Sequence, residues 1–385
     1  MKFLHTSDLH IGKKLFELSM LEEQKHALNQ ICAIAVEEAV DAVVISGDIY
    51  DRAVPSAEAV SLLDEFLTTL LQARIPVIMI SGNHDCGERV AFADRILEKQ
   101  GLYIAGTYEG ELKDVTVSDE WGMVHFICMP FIKPVQVGAQ TSAEAVEQML
   151  SKMPMLYADN HRYVLVTHYF VTGDQGEAPQ LSDSESMVSV GGLDNVPASM
   201  FQNFSYVALG HIHKPQRMGS GNVYYSGTPV KYSFSEALQE KGVNIVELGG
   251  KNQVTVKRRQ LSPIHDMRCI RGMLSELLEI GAKAPDAEDY LQVTLTDTEE
   301  LIDPMGTLRS VYPNVLQIIP AQNEAAADRE YVSRLNGERK SIEMLFADFY
   351  ELVKGEPLDE VRRYYVEAAA KEAGETAERS GESRR

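Results

Sequence analysis

Aspartate, histidine and asparagine gather in five short stretches of this chain: Asp8-Leu9-His10, Gly47-Asp48-Ile49-Tyr50-Asp51, Gly82-Asn83-His84-Asp85, the single His168, and Gly210-His211-Ile212-His213. Carboxylate and amide oxygens with imidazole nitrogens suit borderline-hard divalent ions such as Mn, Fe or Zn, and no thiolate stands among them. In an extended segment, side chains two residues apart share a face. On that spacing Asp8 and His10 can reach one ion, and His211 and His213 can reach one site. Two ions ~3.5–4 Å apart, bridged by a carboxylate, would clamp both the attacking and the leaving oxygen of a phosphoryl centre. Gly47 and Gly82 let the backbone turn tightly there. Singly, each stretch is ordinary: Asp8 can cap a helix, Gly-Asp is common turn chemistry, and a lone histidine is usually structural. The joint pattern is what points to a metal centre.

The elements that must position these groups are legible as apolar runs. Phe3–Thr6, Ala42–Ser46, Val77–Ile80, Tyr163–Thr167 and Tyr206–Leu209 read as strands, and each runs into one of the motifs. Ligands at the carboxyl ends of strands are the expected geometry of an α/β sheet. Leu21–Val40 has helical spacing, as does a run opened by Pro55-Ser56 and reaching Arg74. This alternation predicts a layered α/β fold. Beyond Gly101 the pattern turns to strands at Leu112–Val117, Met123–Met129, Val223–Tyr225, Gly242–Leu248 and Val254–Gln260, which predicts two packed sheets with helices outside. Asp174–Val190, rich in Ser, Gly and acids, reads as a mobile loop. Pro263 interrupts the strand pattern near Leu261–Asp266. Past it, Met267–Ala321 reads strand–helix–strand–helix–strand. Amphipathic helices are expected at Ile342–Lys354 and Leu358–Ala373, and the Glu/Arg/Ser-rich tail after Gly374 reads as disordered. The expected division is 1–265, 266–340, 341–373 and 374–385.

Bulk composition narrows the class. With 385 residues and 44% hydrophobic content there is material for one large domain and a smaller one. Lys and Arg number 36 against 57 Asp and Glu, a net charge of −21, which argues against a protein that binds nucleic acid through a broadly basic surface. Bound metal ions or a partner can still supply positive charge. The four cysteines form no CxxC pair and read as reduced thiols of a cytoplasmic protein. No signal peptide is expected, and no apolar run approaches the ~20 residues of a membrane span.

Taken in order, the motifs resemble those of the calcineurin-like metallophosphoesterase superfamily. The resemblance implies a four-layered αββα sandwich around a dinuclear site. Asp8, His10, Asp48 and His213 would hold one ion, and Asp48, Asn83, His168 and His211 the other, with Asp48 as the bridge. His84 would act at the substrate phosphate as proton donor or transition-state stabiliser, oriented by a hydrogen bond to Asp51. HTSDLHIGK (residues 5–13), GDIYDRAVPS (47–56), SGNHD (81–85), GHIHKPQ (210–216) and YSGTPVKYSFSE (225–236) are similar to the bacterial SbcD exonuclease subunits. That likeness extends to about Ala373. It implies a manganese-dependent DNA nuclease, double-strand exonuclease and single-strand endonuclease, serving DNA repair, recombination and replication. It also implies an SbcC-type coiled-coil ATPase docked on residues 341–373, a homodimer and hence a heterotetramer, and a small α/β capping domain that positions DNA. Lys13, Lys14, Arg52, Arg89, Lys133, Lys214 and Lys231 are the candidate phosphate contacts, Arg52 foremost because it follows Asp51. Two other readings fit less of the chain: a small-molecule phosphatase or cyclic-nucleotide phosphodiesterase, and a non-catalytic assembly subunit.

Overall fold

The computed structural model describes residues 1–153, 161–185, 194–250, 253–299 and 301–321, with isolated positions at 350, 359, 362, 363 and 366. The expected helices at 342–354 and 358–373 fall almost wholly outside the described residues. The tail after 374 and positions 186–190 of the expected loop lie outside them altogether.

Ala42–Ser46 shows how the architecture follows from sequence. All five residues are buried, because the strand is covered on both faces. Val43 and Ile45 point to the Leu21–Glu37 and Ala57–Gln72 helices. Ala42 and Val44 point into a second sheet, against Val124, Phe126, Val164, Val166 and Ala208. A strand buried twice reads as a continuous apolar run rather than an alternation.

The first sheet has the order Val254–Gln260, Gly242–Leu248, Lys2–Thr6, Ala42–Ser46, Val77–Ile80, Leu102–Ala105. The second runs Gln216–Met218, Val223–Tyr225, Tyr206–Gly210, His161–His168, Gly122–Met129, Lys113–Asp119. The Ser142–Ser151 helix covers the second sheet's outer face through Val146 and Met149, which meet Ile127, Met129, Leu165 and Leu209. The result is the four-layered αββα sandwich. Between the sheets, Phe3 packs edge-on to Phe126 and Tyr206 at 5.4 and 5.6 Å. Such pairs contribute ~0.5–1.5 kcal/mol beyond their buried area. Arg162, on the second sheet, donates to the carbonyls of Leu248 (3.1 Å) and Gly249 (3.4 Å) next to the first, and its guanidinium also pairs with Asp119.

The parallel strands matter most for chemistry. Lys2–Thr6, Ala42–Ser46, Val77–Ile80 and Leu102–Ala105 run the same way in one sheet, as do Gly122–Met129, His161–His168 and Tyr206–Gly210 in the other. Their carboxyl ends therefore open on one rim. Some expectations need correction. The first helix stops at Glu37, short of Val40, because Ala39 turns left-handed (φ 48°). Leu102–Ala105 and Ser142–Ser151 carry too little pattern to announce themselves. The latter is started by Thr141, whose hydroxyl accepts the Glu144 N–H at 3.1 Å.

Past Leu261 the observed order is Met267–Gly272, Leu274–Gly281, Tyr290–Leu295, Pro304–Arg309, Val315–Pro320, the alternation expected. The three strands are parallel, with Tyr290–Leu295 central. Met267 and Tyr290 pack with Leu15, Met20, Ala27, Val230 and Tyr232 of the sandwich.

Candidate metal centre

Four of the motif residues sit in left-handed backbone: Asp8 (φ 53°), His10 (φ 45°), Asp48 (φ 50°) and His211 (φ 98°). The extended geometry behind the i, i+2 argument is therefore absent. The loops after the first two strands run side by side instead. Asp8 N–H donates to the Gly47 carbonyl, His10 N–H to that of Asp48 and Ile11 N–H to that of Ile49, each at 3.0 Å. This pairing still aims Asp8 and His10 at one point, where His213 joins them with all three ligand atoms within 4.8 Å of one another. His211 and His213 do not share a site, contrary to the spacing argument. His213 Nε2 faces His10 Nε2 at 3.1 Å, whereas His211 Nδ1 lies 2.9 Å from Asn83 Oδ1.

Asp48 lies between the two groups. The His84 N–H anchors its Oδ1 at 2.9 Å. Its Oδ2 lies 3.7 Å from His10 Nε2 and 3.3 Å from His168 Nε2. His168 donates from Nδ1 to the Ser46 carbonyl at 2.8 Å and turns Nε2 toward Asn83 Oδ1 at 2.9 Å. Two glycines make this approach possible. A Cβ on Gly47, itself at φ 87°, would come within 2.4 Å of His168 Nδ1. One on Gly82 would meet Asp48 Oδ1 at 2.1 Å and Asp48 N at 2.4 Å. Gly82 is thus required for close approach rather than for a turn.

The electrostatics suit a cation. Asp8 and Asp48 are buried carboxylates in one pocket. Burial raises the Asp8 pKa, with His168 and His213 opposing. Burial also works against the charge of Asp48, but His168 and His10 outweigh it and hold that carboxyl well below its ordinary range. Burial depresses His10 and takes His211 down to about 3. His168 goes the other way: burial opposes its charge, yet Asp48 lifts it to about 9. His10 Nδ1 is buried with no hydrogen-bond partner, and two imidazole nitrogens point at each other. Oxygen and imidazole donors converging on shared space, with His10 Nε2 and His213 Nε2 facing each other there, fit divalent ions.

His84 sits at the edge of this cage, its ring 4.9 Å from that of His10. Its Nδ1 donates to the main-chain carbonyl of Asp51 at 2.9 Å. The orienting group is therefore the Asp51 backbone and not its carboxylate. That carboxylate takes a 2.9 Å ion pair from Lys13. Arg52 stands apart from the cage, its side chain 82% exposed. Lys231 is removed from the phosphate candidates by its ion pair to Asp266 at 2.7 Å. Arg89 donates to the Ala53 carbonyl at 2.9 Å.

The sequence suggested Asp85 as a support of its loop without saying how. Its carboxylate accepts from the N–H groups of Ile49 and Tyr50 at 3.0 Å and of Gly82 at 2.9 Å, pinning the second and third motifs together. Burial, with Asp48 nearby, raises it to about 6. The segment 225–236 also supports the site. Tyr232 donates to the Leu9 carbonyl at 2.6 Å, Gln24 to the His10 carbonyl at 2.7 Å, and Ser226 Oγ meets Ser7 Oγ at 2.7 Å. The dense hydroxyls after an apolar strand were the available signal.

A sandwich of two sheets carrying this donor set on its parallel rim has the form of a metal-dependent phosphoesterase. The calcineurin-like phosphoesterase family matches residues 1–215, and a family described as type 5 capsule protein repressor C-terminal domain matches residues 263–354. The D subunit of the nuclease SbcCD from Staphylococcus epidermidis is 30% identical over 370 residues, 94% of this chain and 96% of that protein. The protein of the same name from Staphylococcus saprophyticus is 32% identical over 369 residues, 93% and 94%. The crystal structure of TT1561 of Thermus thermophilus covers 67% of this chain and 98% of its own at 12% identity and a TM-score of 0.39, too slight a likeness to bear on the reading. The chain belongs to the calcineurin-like phosphoesterases, in the family of SbcD nuclease subunits. It is a metal-dependent hydrolase of phosphate esters. No helix among the described residues is long and apolar enough to cross a membrane.

Proposed function

We propose that this chain is the nuclease subunit of a DNA-processing complex. It hydrolyses phosphodiester bonds as a double-strand exonuclease and single-strand endonuclease, together with an SbcC-type coiled-coil ATPase, in cytoplasmic DNA repair and recombination. The observation that carries this reading is the complete cage with His84 beside it, in a chain similar along most of its length to nuclease subunits.

Asp8, His10, Asp48 and His213 would hold one ion, and Asp48, Asn83, His168 and His211 the other, with Mn²⁺ as the preferred metal. Ions held by these residues would supply water activation and neutralise charge developing at phosphorus. The chain's own residues supply the rest. Asp48 presents Oδ2 to both groups because His84 N–H occupies Oδ1. His84, its Nδ1 donating to the Asp51 carbonyl, gives a proton or a hydrogen bond from Nε2 to the leaving oxygen when it enters the reaction as the imidazolium, protonated on both nitrogens. The 266–340 region would act as the cap that steers DNA, and residues 341–373 as the ATPase dock. Val54 and Phe92 are exposed apolar residues on loops tied together by Arg89, and they support contact between two copies.

The test incubates the purified chain with Mn²⁺ and a labelled linear duplex, with and without the ATPase, beside His84→Asn and a bis-nitrophenyl phosphate control. Metal-dependent DNA cutting that falls roughly 10²–10⁴-fold in the variant is the expected result. Cleavage of the small diester but never of DNA would move the assignment to a small-substrate phosphodiesterase. Deletion of residues 341–385 should abolish ATPase binding and spare metal uptake, as read by co-sedimentation and metal analysis. A truncated chain that still forms the complex would overturn the docking assignment.

A further inference from the structure

His213 is gripped from behind by residues outside the five metal motifs. Its Nδ1 lies 2.6 Å from Ser184 Oγ. Ser184 Oγ in turn hydrogen-bonds the carboxylate of Glu236, which is fully buried and ion-paired to the buried Lys241. Lys241 Nζ also reaches the His213 carbonyl at 3.2 Å and Thr228 Oγ1 at 2.8 Å. Glu185, next to Ser184, accepts the His213 backbone N–H.

The direction of these bonds follows from donor counting. A carboxylate paired with an ammonium can only accept, so the single Ser184 hydrogen goes to Glu236. Ser184 Oγ then meets His213 Nδ1 as an acceptor, which places the ring hydrogen on Nδ1. The lone pair is left on Nε2, the atom that faces His10 Nε2 at 3.1 Å beside Asp8. His168 gains the same orientation from a backbone carbonyl, that of Ser46. For His213 the chain uses a side-chain relay delivered by the 174–185 loop. A second group that fixes the tautomer of a metal-ligating histidine is the usual means of presenting its other nitrogen.

We propose that Ser184 and Glu236 are positioning residues for the metal centre, fixing His213 in its Nδ1–H tautomer and aiming Nε2 at the ion shared with Asp8 and His10. This rests on the two-ion reading above.

The test titrates the full-length chain with Mn²⁺, following free Mn²⁺ by electron paramagnetic resonance, for the wild type, Ser184→Ala and Ser184→Thr. Ser184→Ala is expected to weaken one of the two ions by roughly 10- to 100-fold and leave the other unchanged, while Ser184→Thr, which keeps the hydroxyl, binds like the wild type. Nitrogen-15 spectra of the metal-free wild type should show His213 protonated on Nδ1. Wild-type affinity at both ions in Ser184→Ala would overturn the proposal. So would equal weakening by Ala and Thr, which would mean loop packing rather than the hydroxyl is at work, or a His213 protonated on Nε2. A wild-type chain that takes up no Mn²⁺ would instead overturn the two-ion reading itself, so the two failures are distinguishable.

Discussion

At the scale of single residues, the site is built from conformations the chain would otherwise avoid. Asp8, His10, Asp48 and His211 all have positive φ, a state uncommon for residues with a Cβ and costing about 1–3 kcal/mol each. Hydrogen bonds between the motif loops hold them there, and Asp85 supplies two of those bonds and a third within its own loop. Gly82 is one of the tightest points of this arrangement. Gly82→Ala would press a methyl group onto both the main chain and the carboxylate of Asp48. The loops must then part, and the His84 N–H loses Asp48 Oδ1. The expected outcome is Mn²⁺ affinity reduced about tenfold or more and stability lower by about 1–3 kcal/mol, measured by metal titration and urea unfolding. Unchanged Mn²⁺ affinity would show that the loops yield without disturbing Asp48. The ligand types were legible in the sequence because metal chemistry restricts them to a few side chains. Their conformations were not: the i, i+2 rule assumes extended backbone, and the loops break it. Asp85 was legible only as a support of its loop, because the backbone groups it holds leave no mark in the sequence, and Ser184 was illegible because its partners are a histidine ring and a carboxylate far away in sequence.

At the scale of elements, burial on two faces made most strands readable. Ala42–Ser46, Val77–Ile80 and Val223–Tyr225 match their expected limits, because an apolar run has to end where the sandwich ends. Leu102–Ala105 stands at the sheet edge, where less is buried and the pattern is weaker. Among the residues that polarity would not place in the inner layer is a histidine. His5 is fully buried, with Nδ1 3.0 Å from the Tyr206 hydroxyl. Burial lowers its pKa from 6.5 to about 3. Between those values the unfolded chain binds a proton that the folded one refuses. Stability is therefore full above about 6.5 and lost as pH falls toward 3, at about 1.4 kcal/mol per pH unit for this group. His5→Asn should flatten that part of the profile relative to the wild type, as measured by urea unfolding across the window. Parallel profiles for the two proteins would show that His5 does not set the acid limit.

At the scale of the whole molecule, the difficulty is charge. A net −21 repels the polyanion that the proposed reaction cuts. Of the basic residues near the motifs, Lys13 and Lys231 already serve Asp51 and Asp266. Lys14, Arg52, Arg89 and Lys133 are the exposed ones; Arg89 is engaged by the Ala53 carbonyl, which leaves three, and Arg52 only approaches Asp51 at 3.7 Å. Each phosphate neutralised by the protein releases counterions and adds about −0.9 to the slope of log affinity against log salt. Three such contacts give a slope of about −3 for the chain alone, shallow beside the value for six to ten contacts that secure DNA-binding proteins make. On the proposed function, the binding energy for DNA would then come largely from the ATPase partner. This predicts weak binding by the isolated chain with that shallow slope, and a steeper slope when the partner is present. Arg52→Ala should lower the isolated chain's slope by about one. The measurement is fluorescence anisotropy of a labelled duplex across a salt series. A steep slope for the isolated chain would mean that it carries its own phosphate-binding surface and that the partner's role lies elsewhere.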